Sequence, residues 1–304
     1  MYAIFEAILP IFLLVMLGLV FSRWEFPGPG FWKVADRITY YVFLPALLVE
    51  KLVNTSFTLE DFYSLTSVLM GMVLVISVFL ILIRKLLPIS AASFTSVFQG
   101  SIRPNNYVVL AAAIALFGPK GLALAAIAMA GVIPLVNVLC ISCLNYYVSG
   151  NGRGVGRLIK GVLSNPLVLA CIAGIILNVT GIGLPYVSND LFKILSSAAL
   201  PMGLISVGTG LQLKGNRSQM LPVAVSSILK LIAMPVLTYY VMTFIGVVDM
   251  RLSVAILFSS VPCAISSYIL AGHLNGDQKL MATIITMETL AAFVTMPILL
   301  AILT

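Results

Sequence analysis

The feature that most constrains this chain is a set of prolines and glycines that recurs along its long apolar segments. Each of four pairs is separated by 156 positions: Pro10 and Pro166, Gly18 and Gly174, Pro29 and Pro185, Pro45 and Pro201. Pro104 and Pro262 form a further pair with a spacing of 158. Because proline lacks a backbone donor and disturbs a helix, matched prolines in two apolar halves predict a duplicated membrane unit.

The composition indicates a protein whose surface faces lipid. Hydrophobic residues make up 61% of the chain and charged residues only 9%, whereas soluble domains carry about 25% charged residues. The net charge of +7 comes mainly from short loops between apolar segments, and no basic run is interleaved with aromatic residues. We therefore expect an all-α, multi-pass membrane protein in a lipid bilayer, with no nucleic acid as partner.

Ten apolar segments are long enough to span a membrane, which takes roughly 20 residues each. They lie near 3–22, 33–53, 60–83, 88–117, 120–148, 165–182, 190–213, 218–246, 251–272 and 278–303. The pattern predicts one five-helix repeat in 1–150 and a second in 151–304, joined by a basic, glycine-rich linker at 149–160. The fourth segment carries a proline near its middle and is interpreted as two half-helices.

The loop charges predict the orientation of the two repeats. An odd number of spans per repeat inverts the second repeat relative to the first. The basic residues after odd-numbered spans are Arg23, Lys33, Arg37, Arg84, Lys85, Arg153, Arg157, Lys160, Lys214, Arg217 and Lys279. Those after even-numbered spans are Lys51, Lys120, Lys193 and Arg251. Since basic loops stay in the cytoplasm, both termini are predicted on the extracytoplasmic side of the cell membrane.

The prolines at 104 and 262 mark predicted breaks in spans four and nine. A broken helix survives in lipid only where it faces protein or a wet cavity. Two breaks at equivalent depth are expected to cross near the midplane, where the positive ends of half-helices point at one spot. This geometry favours an anionic ligand and is typical of secondary transporters.

The side chains around the breaks suit a carboxylate ligand. Amides, hydroxyls and a guanidinium donate the hydrogen bonds that a carboxylate accepts. The candidate substrate-binding residues are Ser101, Arg103, Pro104, Asn105, Asn106, Tyr107, Pro262, Ser266 and Ser267. Two alternatives stay open: Arg103 complements the C-terminal dipole of a half-helix, and the serines bond back to their own helix.

Other polar residues in the spans have separate interpretations. Lys230 and Glu288 lie deep in spans eight and ten, where ionisable groups are functional candidates; they are predicted to form a structural ion pair or a coupling site. Asp277 is predicted to cap the last helix. No metal site, cofactor or enzymatic activity is predicted, because the cysteines lack a second ligand pair and catalytic motifs are missing.

Several motifs together resemble the auxin efflux carrier family. They are Tyr-Val-Phe-Leu-Pro-Ala-Leu-Leu at 41–48, Arg-Pro-Asn-Asn-Tyr at 103–107, Ser-Asn-Pro-Leu at 164–167, Ala-Leu-Pro-Met at 199–202, Ser-Ser-Tyr-Ile-Leu-Ala at 266–271 and Gly-Asp at 276–277. The resemblance implies ten helices in two inverted repeats. It also implies a scaffold of spans one, two, six and seven, through which members form homodimers, and a mobile transport domain of spans three to five and eight to ten.

The resemblance further implies transport of organic anions: auxin in plants, dicarboxylates such as malonate in bacteria. Plant carriers place an asparagine beside each crossover proline, near the substrate carboxylate. Asn105 and Asn106 match this role, whereas Cys263 and Ala264 depart from it after Pro262.

The expected function is thus secondary transport of a small organic anion by an elevator-type movement of one bundle past the other. Two alternatives remain at this point. One is a sodium-coupled organic anion symporter resembling the bile-acid carriers. The other is a non-transporting membrane receptor.

Overall fold

The structure, a computed structural model, describes residues 2–56, 58–149, 165–185, 187–212 and 219–304. Within these ranges the chain is helical and forms no strand; one isolated antiparallel bridge joins Pro104 and Cys263. From residue 150 onward the predicted linker 149–160 lies outside the described residues, as do five of the basic loop residues. These are Arg153, Arg157, Lys160, Lys214 and Arg217.

The first half of the described chain contains six α-helices. They are α1 (Tyr2–Arg23), α2 (Phe31–Ile38), α3 (Leu44–Val53), α4 (Leu59–Ile83), α5 (Ala91–Ile102) and α6 (Asn106–Leu144). One π turn, Thr39–Phe43, joins α2 to α3 without a break, and another, Asn145–Ser149, follows α6. A 3₁₀ turn, Arg84–Leu86, follows α4.

The second half contributes seven further helices to the part that the structure describes. They are α7 (Pro166–Val179), α8 (Val187–Thr209), α9 (Met220–Ile228), α10 (Met234–Phe244), α11 (Met250–Ser260), α12 (Ser266–His273) and α13 (Gln278–Leu303). A π turn, Leu229–Ala233, joins α9 to α10.

Helix length and composition bear out the multi-pass, all-α prediction. Within the described ranges, six helical segments are long and apolar enough to cross a membrane: Tyr2–Arg23, Glu60–Leu86, Asn106–Val148, Val187–Thr209, Met220–Phe244 and Gln278–Leu303. Pro166–Val179 and Met250–Ser260 are apolar but shorter. The helix α6 bends where predicted spans four and five meet, because Gly118 has the non-helical angles φ 66° and ψ −160°.

Two of the π turns have a common cause in the sequence. Each ends two residues before a proline, Pro45 in α3 and Pro235 in α10. A proline ring clashes with the carbonyl four residues earlier, and that carbonyl falls inside the π turn in both helices. Leu44 N–H accordingly donates to the carbonyl five residues back rather than four. The wider turn absorbs the proline while the helix continues.

Side-chain caps fix several helix starts, and one cap was predicted from the sequence. Asp277 caps α13, because its Oδ1 accepts from Leu280 N–H at 3.0 Å; that prediction is confirmed. Its Oδ2 accepts from Ser93 Oγ at 2.9 Å, and Ser93 lies in the first turn of α5. The cap therefore also ties α13 to α5.

One group of helices is built around a very close crossing of α1 and α8. A Cβ atom at Gly18 would overlap the carbonyl oxygen of Ile205, and one at Gly208 would overlap the carbonyl oxygen of Val15. Only glycine lets the two backbones approach this closely. In the same group α3 packs against α7 and α8, where a Cβ at Gly174 would lie 2.9 Å from Leu52 Cβ.

The remaining helices form a second group. In it α4 packs on α6, α11 packs on α6 and α13, and α5 packs on α9 and α13. The helices α6 and α13 also contact α1 of the first group. The non-helical segments between α5 and α6 and between α11 and α12 lie in the second group.

Candidate functional site

Two short non-helical segments cross at the candidate site. The first crossing segment, residues 103–105, separates α5 from α6; the second crossing segment, residues 261–265, separates α11 from α12. Asn105 N–H donates to the Pro262 carbonyl oxygen at 2.9 Å, beside the bridge between Pro104 and Cys263. The structure thus brings together the two prolines that the sequence singles out.

Asn105 both starts a helix and offers free donors. It is the N-cap of α6, with Oδ1 accepting from the N–H groups of Tyr107 at 3.1 Å and Val108 at 3.3 Å. The residue is 1% exposed, yet its Nδ2 has no hydrogen-bond partner. A buried donor without a partner costs roughly 1–3 kcal/mol, so this amide group is suited to a ligand.

Arg103 lies at the end of α5 and reaches across to another helix. Its Nη2 donates to Asn137 Oδ1 at 2.9 Å, in the second part of α6. Its Nη1 is buried without a partner. Asn137 therefore holds the guanidinium in place, and Nη1 remains available for a further acceptor. The hydrogen bond that Arg103 makes is to Asn137 and not to the carbonyl groups at the end of α5.

Further polar atoms around the first crossing segment lack partners. Asn106 Oδ1 and both amide atoms of Gln99 are buried and make no hydrogen bond, whereas the Tyr107 hydroxyl lies close to the Asp36 carboxylate. Gln99 is completely buried and precedes Arg103 by one helical turn. Folded proteins contain few such groups, and their concentration here indicates a site that a polar ligand or water fills.

Two small cavities lie beside these groups. The first, of about 50 Å³, is lined by Asp36, Tyr40, Leu44, Asn105, Asn106, Tyr107, Val207, Ala264, Ile265 and Ser266. The second, of about 30 Å³, is lined by Tyr40, Arg103, Pro104, Asn106, Ile133, Val136, Asn137, Ala264 and Ser266. The two share four lining residues and are therefore adjacent. Each holds about one water molecule, so this conformation leaves room for only a small ligand.

The second crossing segment uses its polar groups internally. Cys263 N–H donates to Glu288 Oε2 at 2.9 Å, and Ser226 Oγ donates to Glu288 Oε1 at 2.7 Å. The Cys263 thiol lies 3.2 Å from Ser267 Oγ. A buried carboxylate on α13 therefore anchors the backbone of this segment.

The predicted serines divide into one that faces the cavities and two that do not. Ser266, at the start of α12, lines both cavities. Ser101 is completely buried and its hydroxyl donates to Val97 O at 2.9 Å, back onto its own helix. Ser267 is also completely buried, beside the Cys263 thiol.

Lys230 and Glu288 are both completely buried, but the predicted ion pair is not a direct contact. Both oxygens of Glu288 accept from Ser226 and Cys263. The Lys230 ammonium lies 3.8 Å from Met234 Sδ, within electrostatic range of Glu288. The Ser226 hydroxyl and the Cys263 N–H therefore contact the Glu288 carboxylate directly, whereas the Lys230 ammonium does not.

Sequence reasoning missed four polar residues around the site: Asp36, Tyr40, Gln99 and Asn137. Asp36 had a usable signal, because an ionisable residue inside a span is a functional candidate by default. Gln99 lies four positions before Arg103, at helical spacing. Asn137 carries no local signal, since its role depends on where Arg103 points.

Comparisons with known proteins agree on membrane transport. A family model described as membrane transport protein matches residues 155–300. An uncharacterized transporter of Methanocaldococcus jannaschii is 25% identical over 295 residues, covering 93% of this chain and 94% of the relative. An uncharacterized transporter of Methanothermobacter thermautotrophicus is 24% identical over 300 residues, covering 96% of each.

Proposed function

We propose that this chain is a member of the auxin efflux carrier family of membrane transport proteins and a secondary transporter of a small organic anion. The observation that supports this most is the set of buried, unpartnered donors at the first crossing segment. Asn105 Nδ2 and Arg103 Nη1 are both buried without partners. A carboxylate supplies the acceptors that these donors lack.

Helix dipoles favour the same ligand. The helix α6 begins at Asn106 and α12 begins at Ser266, and both residues line both cavities. The N-terminus of a helix carries a partial positive charge. An anion between the two helix starts is therefore stabilised from both sides, as well as by the guanidinium.

The proposed architecture is ten spans in two inverted five-helix repeats, with breaks in spans four and nine. The close helix crossings support it. Gly18 meets Ile205 and Gly208, whereas Gly174 meets Val49 and Leu52. Adding 156 to 18, 49 and 52 gives 174, 205 and 208, so the same contact is made twice with the repeats exchanged. A two-fold relation between the repeats produces this exchange.

The proposed movement is of elevator type. The scaffold comprises α1, α2, α3, α7 and α8, and the transport domain comprises the other helices. At their boundary, Tyr107 packs on Gly203 and Ile265 packs on Gly210. In both contacts a side chain in or next to a crossing segment packs against a glycine. A surface without side chains suits a transport domain that slides past it. The bound anion would travel with the first crossing segment.

Orientation and assembly follow from the same proposal. The loop charges favour an orientation with both termini on the extracytoplasmic side of a cell membrane. Homodimers would form through the scaffold, which carries exposed apolar side chains on α7 such as Leu169, Ile172 and Ile176. The proposal involves no enzymatic step.

The test is uptake of radiolabelled small carboxylates (acetate, malonate, succinate and β-alanine) into proteoliposomes that contain the purified protein. We expect uptake of at least one of them. Arg103→Gln should reduce that uptake about 10- to 150-fold, because a hydrogen bond to a charged group contributes roughly 1.5–3 kcal/mol. Arg37→Gln is the matched control, since Arg37 lies on the exposed side of α2.

Three outcomes separate the candidate functions. Full uptake by Arg103→Gln contradicts the assigned site. Uptake that stops when sodium is replaced by choline favours the sodium-coupled alternative over the present proposal, in which the buried Lys230 ammonium already supplies a cation near Glu288. Ligand binding without any uptake favours the receptor alternative.

A further inference from the structure

The two cavities carry opposite charges at their far ends. Arg103 lines only the second cavity and Asp36 lines only the first. Tyr40, Asn106 and Ser266 line both and bring neutral polar groups between them. The combined cavity therefore runs from a guanidinium to a carboxylate.

Neither charge is neutralised by an ion pair. Among the ion pairs of the described ranges, none includes Asp36 or Arg103. Asp36 Oδ1 accepts a hydrogen bond from Ser206 Oγ on α8 at 3.1 Å, and the neutral Tyr107 hydroxyl also lies close to this carboxylate. Arg103 donates to the neutral Asn137 and retains its unpartnered Nη1. Each group is held in position by a neutral neighbour, which leaves its charge for a ligand.

Besides its contact with Ser206, Asp36 brings a negative charge to the cavity that does not favour a simple anion. A carboxylate that faces the cavity repels a monoanion or a dianion, and the repulsion is stronger in a partly buried site than in water. A protonated amine, in contrast, is attracted to Asp36 while the carboxylate of the same molecule meets Arg103 and Asn105. Opposite charges at the two ends of one narrow cavity match a ligand with opposite charges at its two ends.

We propose that the transported carboxylate also carries a protonated amine, so that the substrate is a small zwitterion of the amino-acid type. This inference rests on the proposed function and narrows its substrate class. The volumes of about 50 and 30 Å³ favour the smallest members of the class. Asp36 is then the residue that selects for the amine, and it lies on the proposed scaffold, opposite the transport domain.

The experiment compares two molecules of equal size, β-alanine and butyrate, in which an ammonium group replaces a methyl group. Binding is measured as the ligand concentration that gives half of the maximal rise in unfolding temperature of the purified protein. We expect β-alanine to bind at least about tenfold more tightly than butyrate, as one ionic contact is worth about 1.4 kcal/mol or more. Asp36→Asn should abolish this preference and leave butyrate binding unchanged or tighter.

Asp190→Asn is the matched control, because Asp190 lies at the start of α8 with its side chain 77% exposed and should keep the preference. Butyrate binding equal to or tighter than β-alanine binding in the unmodified protein overturns the inference, and this comparison needs no variant. In that case carboxylate binding still supports the proposed function. Binding of neither molecule, together with no binding of acetate or malonate, overturns the proposed function as well.

Discussion

The two crossing segments have the same backbone arrangement and opposite side-chain chemistry. Each contains a proline, each lies between two helices, and they bond to each other through Asn105 N–H and Pro262 O. The first presents amide and guanidinium groups, several of which have no partner. The second presents Cys263 and Ala264 and is held by Glu288 from behind.

This difference separates recognition from anchoring. An internal two-fold relation would give each segment the same role, but unpaired donors are useful only where a ligand meets them. In the proposed function, the first segment therefore recognises the ligand, and the second holds a fixed backbone position beside it. Variants of Glu288 and of the two crossing segments test this division of roles.

The largest expected effect comes from the anchor. Glu288→Ala removes the acceptors for Cys263 N–H and Ser226 Oγ and leaves the Lys230 ammonium buried without its counter-charge. Breaking a buried charge pair costs roughly 3–5 kcal/mol, so the unfolding temperature in detergent should fall strongly. Glu6→Ala, on the exposed side of α1, is the control.

The double variant Lys230→Met with Glu288→Gln sharpens the same test. It removes both buried charges, so it should recover part of the stability that Glu288→Ala loses. If the single variant unfolds at the temperature of the unmodified protein, Glu288 does not anchor the second crossing segment.

A smaller effect, confined to binding, is expected at the first crossing segment. Asn105→Asp keeps an N-cap for α6, since Asp and Asn cap equally well, but replaces the free Nδ2 donor with an oxygen. Carboxylate affinity should fall at least about tenfold, because a charge-assisted hydrogen bond is lost and the new carboxylate repels the ligand.

Asn105→Ala completes this comparison, because it loses the cap and the donor together. It should weaken binding and also lower stability by about 1 kcal/mol. Equal affinity of the Asn105→Asp variant and the unmodified protein would show that Asn105 acts only as a helix cap.

The smallest effect concerns the far end of α11, the helix that leads into the second crossing segment. Asp249 caps α11, and its hydrogen bond with Arg251 holds the pKa of the carboxyl below its ordinary value. Arg251 also pairs with Glu60 of α4 at 2.7 Å. Because the folded-state pKa is lowered, this stabilisation is present above about pH 4 and is lost as the pH falls through the lower value.

Thermal unfolding of the unmodified protein and of Asp249→Asn, measured from pH 7 to pH 3, tests this linkage. At pH 7 the two proteins should differ in stability by no more than about 1 kcal/mol for so exposed a pair, and the difference should shrink as the pH falls from 4 towards 3. A constant difference across the range would exclude the proposed linkage.

The sequence alone predicts the features that depend on local chemistry. Apolar length and low charge indicate the helical membrane class, Asp277 before an apolar run indicates a cap, and the prolines at 104 and 262 mark the segments that cross. These signals work because composition, capping and proline act on nearby residues. Gly18 and Gly174, which the sequence pairs, both lie at helix crossings that leave no room for a side chain.

The use of individual side chains could not be predicted, because it depends on contacts between distant parts of the chain. Ser101 and Asn105 are equally plausible ligands by type, yet the first bonds back to Val97 O and the second keeps a free amide. Asp36 enters the site only because α2 lies beside the first crossing segment. Glu288 meets Cys263 N–H rather than Lys230 for the same reason.

The most direct measurement is the affinity for a small carboxylate of two variants, one in each crossing segment. Arg103→Gln alters the proposed recognition segment and Cys263→Ser alters the proposed floor, where the thiol contacts Ser267. The account predicts at least about a tenfold loss of affinity for Arg103→Gln and nearly unchanged affinity for Cys263→Ser. Equal losses in both variants, or a larger loss for Cys263→Ser, would contradict the division of recognition and anchoring between the two segments.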